Sequence, residues 1–444
     1  MENIPIDIHR KFLNINITIL RYSGVWPLLP TAKIGWKVFN FIYRIFNLTV
    51  FIFYLITLGA DAVTNYKDLT IFGSDGCYFF GTCMCVFKAC KFWASYHKII
   101  KLIVDVYDPI DVLVRSADPG ILMNIKKSYY QESIAFWGFS TLCSFFHFSV
   151  IFLIPREKGI LPIRAIYPFD TKISPNYELA IIYQAYCLAY ALCVTIALDI
   201  TTIGFIRWST LQIAALTSNY KNSNPNVTKR ASLVTSSSDA RKIIEKLNKI
   251  KITDDDVEIE TFLPLDYHET KYFINDLFLS RFTTCIKNHQ RLIKIIRDLN
   301  AVLSPLMLVQ FATSTCIICL NGYQMILSTN NSADFTKFTA FLAICFTELF
   351  FWCWYGNEFS YIADTLTHNQ WISGWEDAYD NNYYYFNSNN HKISNYVTIS
   401  MIPTMHRLQF KSVGIFSLSM PTFLSVVKSS YSLLIILNTF TSDK

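Results

Sequence analysis

Seven apolar runs, each long enough to cross a lipid bilayer, constrain this chain more than any other feature of its sequence. They cover approximately residues 38–60, 72–96, 133–154, 179–206, 302–327, 335–355 and 412–440. A helix rises about 1.5 Å per residue, so about 20 residues cross a hydrocarbon core of about 30 Å. Of the 444 residues, 52% are hydrophobic and only 16% are charged, which is more apolar than a soluble domain requires. The sequence therefore predicts an all-α membrane protein with seven transmembrane helices.

The segments that join the runs differ in basic residues, and this difference predicts the orientation of the chain. The N-terminal segment and the second, fourth and sixth connections hold 27 Lys and Arg, whereas the other side holds 6. Without the long fourth connection the counts are still 13 and 6. Because cytoplasmic loops are enriched in basic residues, we expect a cytoplasmic N-terminus and an extracellular C-terminus. Asn330 then begins an extracellular glycosylation sequon, Asn330-Asn331-Ser332.

Three other classes of protein fit the sequence less well. A G-protein-coupled receptor has the opposite orientation, and here Ile154-Pro155-Arg156 stands where Asp-Arg-Tyr is expected after the third span. A transporter is expected to show internal repeats with paired broken helices, and we find no such symmetry. The sequence has no His-Glu-x-x-His, Gly-x-Ser-x-Gly or phosphate-binding glycine loop, so we expect neither an enzyme nor a cofactor.

Cysteine is frequent in this chain, but its distribution does not indicate a metal site. Nearly all of the 12 cysteines lie inside apolar runs, where cysteine is an ordinary small core residue. Cys316 and Cys319 have the spacing of a redox or metal motif, but they lie in the middle of a span without a second pair or nearby histidines. We expect no metal site.

The last run, Gly414–Phe440, differs from a simple membrane anchor. Four small polar residues recur at steps of three and four and form a stripe along one helical face; they are Thr422, Ser425, Ser429 and Ser432. Such residues also line ordinary contacts between membrane helices. Lys428 lies near the middle of the run, where an ammonium group needs water or a partner. This run is therefore a candidate functional element.

Two groups of residues near the C-terminus resemble one known family. Met420-Pro421-Thr422-Phe423-Leu424 is followed by Ser430-Tyr431-Ser432 and an apolar tail, and Tyr355-Gly356-Asn357-Glu358 follows the sixth run. This wording resembles the insect odorant receptors. The resemblance implies a heterotetrameric, ligand-gated, nonselective cation channel for olfactory signalling, built from odorant-binding subunits and a shared co-receptor. Such channels lie in the plasma membrane of olfactory neuron dendrites.

Within that family, the chain looks like a variable odorant-binding subunit. Its fourth connection lacks the usual length and wording of the co-receptor. Gustatory receptors share the architecture and remain an alternative, although they typically end in a Thr-Tyr…Gln-Phe pattern. Asp380–His391 is an Asn- and Tyr-rich insertion where relatives usually have a tight turn. The ligand implied by the resemblance is a small, volatile, mostly apolar odorant.

The resemblance also implies a division of the chain into five regions. Spans one to four form the ligand-binding bundle, a cytoplasmic connection carries a helical extension of the fifth span, and the last span lines the pore. The regions are 1–216 (spans one to four), 217–300 (connection and extension), 301–356 (spans five and six), 357–411 (cytoplasmic anchor) and 412–444 (last span).

A ligand site between spans two, three, four and six, in the outer half of the membrane, is a further implication of the resemblance. Mostly aromatic side chains at that depth suit an apolar molecule held by shape and dispersion. Aromatic residues at helical spacing also serve as packing, so both interpretations stay open. The candidates are Tyr78, Phe79, Cys83, Phe145, Phe148, Ser149, Tyr186, Tyr190, Phe338 and Phe341.

Similarity to the outer gate of the family points to one face of the last span. Leu434 and Asn438 are four residues apart with Tyr431 one turn below, and a register shifted by one brings in Leu437. An apolar ring there would exclude ions by dewetting.

Among the charged residues inside the predicted spans, three are the most informative candidates: Asp199 in the fourth span, Glu348 in the sixth and Lys428 in the seventh. Each costs about 3 kcal/mol in a membrane when it has no partner. These residues therefore either pair structurally or face water. We expect Lys428 to face a wide cytoplasmic vestibule or a carboxylate such as that of Glu348.

Overall fold

The computed structural model describes most of the chain. The described residues are 8–28, 32–116, 118–153, 161–231, 258–264, 277–329, 332–377, 397–402 and 408–442, with single positions at 233–249 and at 395. Asn330 and the insertion Asp380–His391 lie outside these residues, so the predictions made for them remain predictions.

Nine long helices make up the described fold. They are α1 (Lys11–Tyr22), α2 (Ile34–Thr64), α3 (Leu69–Ala94), α4 (Tyr96–Arg115), α5 (Pro119–Phe148), α6 (Asn176–Lys221), α7 (Phe278–Leu327), α8 (Ser332–Trp371) and α9 (Met420–Ser442). A 3-10 turn precedes α1, a π-helical turn follows α5, and a small hairpin of β1 (Lys411–Ser412) and β2 (Phe416–Ser417) precedes α9.

Seven of these helices are long and apolar enough to cross a membrane. They are α2, α3 and α5 to α9. This confirms the predicted all-α fold with seven transmembrane helices, whereas the orientation of the termini remains a prediction. The helices α6 and α7 have 46 and 50 residues, well beyond the roughly 20 that a bilayer requires. The helix α7 continues through Pro305 without a break.

The helix α6 lies at the centre of the bundle. Every side chain from Ile196 to Ile213 is buried, because this part of α6 contacts α1, α4, α5, α7 and α8. Gly204 allows side chains of two of these helices to approach closely. A Cβ atom there would lie 2.8 Å from the Tyr107 hydroxyl of α4 and 2.9 Å from the Glu132 carboxylate of α5.

Outer helices expose apolar side chains, as expected of surfaces that face lipid. In α2, for example, Trp36, Phe39 and Ile42 are each more than half exposed. The helix α9 is the least covered of the seven spans, since only 11% of its 18-residue apolar stretch is buried within this chain.

An ionic contact attaches the start of α1 to α4. The Arg10 guanidinium donates to Asp108 at 2.6 Å and to Asp111 at 2.9 Å, and His9 Nε2 lies 3.0 Å from Asp111 Oδ1. Partial burial tends to raise the pKa of Asp111, but His9 and Arg10 outweigh burial and hold that pKa below its usual value. The contact fixes α1, which crosses no membrane, against the bundle.

Candidate functional site

A cavity of about 100 Å³ lies inside the bundle, between α3, α5, α6, α7 and α8. Its wall is mostly apolar and is rich in aromatic and sulfur-containing side chains. The lining residues are Tyr78, Gly81, Thr82, Met84, Cys85, Cys143, Phe146, His147, Leu188, Ala191, Leu192, Thr195, Ile317, Phe341, Ile344, Cys345 and Glu348.

Three aromatic rings from three different helices close one side of the cavity. The Phe146 ring of α5 stacks on the Phe341 ring of α8 with centroids 4.9 Å apart. The Tyr78 ring of α3 lies 5.7 Å from Phe341 and 6.5 Å from Phe146. Offset rings at these distances attract each other and offer large apolar faces, so they suit an apolar ligand.

A buried ionic cluster adjoins the cavity through Glu348. The Lys88 ammonium of α3 donates to Asp199 of α6 and to Glu348 of α8, at 2.6 Å in each case. All three side chains are no more than 3% exposed. Lys88 Nζ also lies 5.3 Å from the centroid of the Trp352 ring, which is within the range of a cation–π contact. One ammonium group thus connects three transmembrane helices.

This cluster corrects the expected pairing of the intramembrane charges. Asp199 and Glu348 both pair with Lys88, whereas the sequence suggested Glu348 as a partner of Lys428. Lys428 is exposed on α9. Sequence reasoning missed Lys88 because a long side chain toward one end of a span is easily taken as one that reaches the membrane surface. The available signal was the presence of two carboxylates in other spans that needed a cation.

Only some of the ten predicted ligand-site residues lie at the cavity. Tyr78 and Phe341 line it directly. Phe79, on the next position of α3, packs toward Gly59 of α2, and Cys83 is half-buried outside the lining. Phe338 is buried beneath Lys337, whose Nζ lies 4.5 Å from the ring centroid.

The residues predicted on α5 lie outside the cavity lining. Phe145 and Phe148 are both more than half exposed on the outside of the bundle. The hydroxyl of Ser149 donates to the carbonyl of Phe145 at 2.7 Å. The neighbouring Phe146 and His147 line the cavity in their place, because adjacent residues of a helix point about 100° apart.

Tyr186 and Tyr190 share one face of α6, as their spacing predicted, but this face packs toward α2. The Tyr186 hydroxyl donates to Asn47 Oδ1 at 2.7 Å, and the Tyr190 ring lies 5.0 Å from that of Phe51. Tyr190 also borders a second, smaller cleft that includes Arg44 and Trp93. In this structure both tyrosines join α6 to α2.

The helix α9 presents a broad exposed face. Of the predicted gate residues, Tyr431 and Asn438 are exposed, whereas Leu434 and Leu437 are half-buried. Leu434 packs close to Gly322 of α7, where an added Cβ would lie 3.1 Å from Leu434 Cδ2. Leu433, one position away, is exposed. The side chains at the centre of the exposed face are Ser425, Lys428, Ser432, Ile435 and Thr439.

The helix α8 contacts both the cavity and α9. Phe341, Ile344, Cys345 and Glu348 line the cavity. On the same helix, the rings of Phe346 and Phe350 lie 6.3 Å and 5.9 Å from that of Phe423 on α9. Farther along α8, a Cβ at Gly356 would lie 2.5 Å from the carbonyl oxygen of Leu418, just before α9. A displacement of α8 at the cavity would therefore change the contacts that α8 makes with α9.

Comparisons with known proteins agree with this architecture. A family model described as 7tm Odorant receptor matches residues 68–431. The chain is 25% identical over 178 residues to Odorant receptor 94a of Drosophila melanogaster, which is 39% of this chain and 43% of that protein. It is 22% identical over 284 residues to Odorant receptor Or1 of Anopheles gambiae, which is 64% of this chain and 61% of that protein. These alignments span less than two thirds of either relative.

Solved structures of the insect olfactory receptor OR5 from Machilis hrabei have the same fold. The complex with eugenol aligns with a TM-score of 0.73 at 15% identity and covers 98% of this chain and 100% of that one. A second structure of that receptor aligns with a TM-score of 0.70, also at 15% identity, and covers 96% of this chain and 97% of that one. At this level of identity, the likeness concerns the fold alone.

Proposed function

This chain belongs to the seven-transmembrane odorant receptor family, and on that basis we propose that it is the odorant-binding subunit of a heteromeric, odorant-gated, nonselective cation channel. The family match favours this function over the G-protein-coupled and gustatory alternatives. The proposed partners are a small, mostly apolar odorant and the shared co-receptor. The proposed location is the plasma membrane of an olfactory neuron dendrite, in which the chain is a multi-pass protein.

The observation that carries the proposal is the position of α8 between the cavity and α9. A ligand that fills the space between Tyr78, Phe146 and Phe341 changes the packing of α8. The same helix packs on α9 through Phe346, Phe350 and Gly356. Binding in the cavity and movement of the last helix are therefore mechanically connected within one chain. If α8 has two arrangements, a ligand shifts the equilibrium between them by binding one arrangement more tightly than the other.

The exposure of α9 supports a multisubunit assembly. Only 11% of the apolar stretch of α9 is buried within this chain, so most of the surface of this helix is available to lipid, water or another subunit. Lys428 lies near the centre of that exposed face, and an ammonium group is poorly tolerated in lipid. We therefore place Lys428 at a water-filled vestibule. The resemblance to the family supports a constriction formed by Tyr431, Leu434 and Asn438, with Leu437 as the alternative register.

The test is coexpression with the co-receptor, followed by recording of currents evoked by a broad panel of odorants. We expect an inward cation current that needs both subunits and persists when G-protein signalling is blocked with GDP-β-S. The control is each subunit expressed alone. Normal surface expression of both subunits without any odorant-evoked current would contradict the proposal. A response abolished by the G-protein block would favour the G-protein-coupled alternative.

A further inference from the structure

At its floor, where Glu348 lies, the cavity borders two carboxylates and one ammonium group. An ammonium group has three N–H donors. Those of Lys88 are directed to Asp199, to Glu348 and toward the face of Trp352. Glu348 lines the cavity, whereas Asp199 Oδ2 is buried without a hydrogen-bond partner among the described residues. Two carboxylates thus share one cation, and Glu348 is the one of them that lines the cavity.

Two further side chains of the cavity lining point to the same chemistry. His147 Nδ1 lies 2.7 Å from the carbonyl oxygen of Cys143, and a carbonyl can only accept a hydrogen bond. The hydrogen of a neutral His147 is therefore on Nδ1, which leaves Nε2 as an acceptor. The hydroxyl of Tyr78 is buried and has no partner among the described residues, and it can accept a hydrogen bond as well as donate one. A ligand that enters therefore meets the Glu348 carboxylate, a neutral His147 and the Tyr78 hydroxyl in a mostly apolar space.

We propose that the ligand of this receptor carries a hydrogen-bond-donating head group, a hydroxyl or an amine, which binds the Glu348 carboxylate while its apolar body packs on Tyr78, Phe146 and Phe341. This inference rests on the function proposed above and specifies its ligand class. A donor at Glu348 adds a partner to a carboxylate that otherwise shares the Lys88 ammonium with Asp199. The cavity of about 100 Å³ limits the body to a small group. An engineered apolar cavity of about 150 Å³ holds benzene, so a ligand with one aromatic ring enlarges this cavity by moving its lining, in keeping with the displacement of α8 in the proposed function.

The experiment compares ligands of nearly equal size on the channel formed with the co-receptor. Toluene has no polar head, anisole only accepts, benzyl alcohol donates as a neutral group and benzylamine donates as a cation. We expect each donor to activate at a concentration at least about tenfold lower than toluene or anisole, since a hydrogen bond to a charged group is stronger than one between neutral groups. A stronger response to benzylamine than to benzyl alcohol would show that the floor carries net negative charge, whereas the reverse order would show that it is neutral.

A substitution at Glu348 then tests the residue. In Glu348→Gln the shape is kept and the charge removed, so the advantage of benzylamine over toluene should fall by about tenfold. The matched control is Ile344→Val, another lining residue of α8, which should change the responses to all four compounds by the same factor. If Glu348→Gln does not reach the cell surface, the wild-type ligand series decides alone.

The possible failures are distinguishable. If toluene and anisole act as well as the two donors, the ligand-class inference is wrong while the channel function stands. If the wide odorant panel evokes no current at normal surface expression, the proposed function itself fails.

Discussion

Lys88 joins three membrane helices through a single ammonium group, and its removal would leave Asp199 and Glu348 buried together without a cation. Breaking a buried ion pair by removing one partner typically costs about 3–5 kcal/mol, because the remaining charge is uncompensated. We therefore expect Lys88→Met to lower the thermal stability of the detergent-solubilised protein and its surface expression. Fluorescence-detected size-exclusion chromatography after heating measures the first effect, and surface biotinylation measures the second.

Lys98→Met is the matched control for this experiment, because Lys98 is exposed on α4. Its removal should leave thermal stability nearly unchanged, since exposed charges contribute about 0–1 kcal/mol. Equal stability of Lys88→Met and the wild type would show that the cluster does not hold the helices together.

Replacing the Phe341 ring should affect the response to odorants more than replacing that of Tyr186. Phe341→Ala removes a ring that lines the cavity, and aromatic side chains bury about 150–250 Å². We expect a loss of sensitivity of at least about tenfold or a shift in tuning. Tyr186→Ala removes the hydrogen bond to Asn47, so it should lower expression while the order of ligand potency is kept. Dose–response curves normalised to surface expression distinguish the two results. A change of tuning in Tyr186→Ala alone would place the ligand at α2.

The sequence predicted only part of the cavity, for a geometric reason. Depth in the membrane follows from counting residues along a span, and it led to Tyr78 and Phe341. The face of the helix on which a side chain lies toward the cavity depends on which neighbouring helices pack there. A span that is apolar on all faces does not show in its sequence which face that is. Phe145 was therefore predicted although Phe146 lines the cavity. The pairing of Lys88 with Asp199 and Glu348 shows that charged residues in different spans predict helix contacts better than aromatic residues do.

At the level of helices, the contact between α8 and the segment before α9 depends on Gly356. An alanine there would place Cβ 2.5 Å from the Leu418 carbonyl oxygen, and backbone cannot rotate away as a side chain does. We expect Gly356→Ala to push the two elements apart, with a loss of stability of about 1–3 kcal/mol and a reduced maximal current. Gly138→Ala on α5 is the control, because an added Cβ there meets nothing within 4 Å. Indistinguishable currents from the two variants would mean that this contact does not transmit gating.

The helix α9 offers a test of the predicted constriction. Leu434→Ser should hydrate an apolar ring and raise resting current or change ion permeability, whereas Leu433→Ser, about 100° around the helix, should be tolerated. Co-receptor subunits contribute their own residues to the ring, so the change should be partial. Whole-cell recordings without odorant measure it. If cysteines at Leu433 are modified from the pore while those at Leu434, Leu437 and Asn438 stay protected with and without odorant, a different face of α9 lines the pore.

For the whole molecule, the predicted orientation is open to a direct test. An epitope at Met1 should be reached by antibody only after permeabilisation, because the distribution of basic residues predicts a cytoplasmic N-terminus. Asn330 should carry the glycan, so Asn330→Gln should increase mobility on a gel and remove sensitivity to peptide N-glycosidase F. Surface labelling of the Met1 epitope in intact cells would show that the chain has the opposite orientation. Asn226→Gln, in the sequon of the fourth connection, is the control that should leave mobility unchanged.

The number of spans was predictable because lipid requires long uninterrupted apolar helices, which leave a plain signature in the sequence. The helix α4 has no such signature, since it crosses no membrane and mixes charged and apolar residues. The beginning of α7 at Phe278 lies in the same kind of sequence. In those regions, packing against the bundle determines the structure, and the amino-acid sequence alone gives less information about that packing.

The separation of Lys88 from its partners along the chain has a consequence for biosynthesis. Asp199 follows Lys88 by 111 residues and Glu348 follows it by 260. At about 5–20 residues per second, α3 leaves the ribosome about 6–22 s before Asp199 of α6, the first carboxylate that can neutralise Lys88, and about 13–52 s before Glu348 of α8. During the first interval α3 holds an ammonium that insertion into lipid penalises by about 3 kcal/mol. The helix should therefore remain beside the translocon, or bound to a membrane chaperone, until α6 has been synthesised. Ribosome-bound chains truncated before Asp199 should crosslink to that machinery from α3, and longer chains should be released.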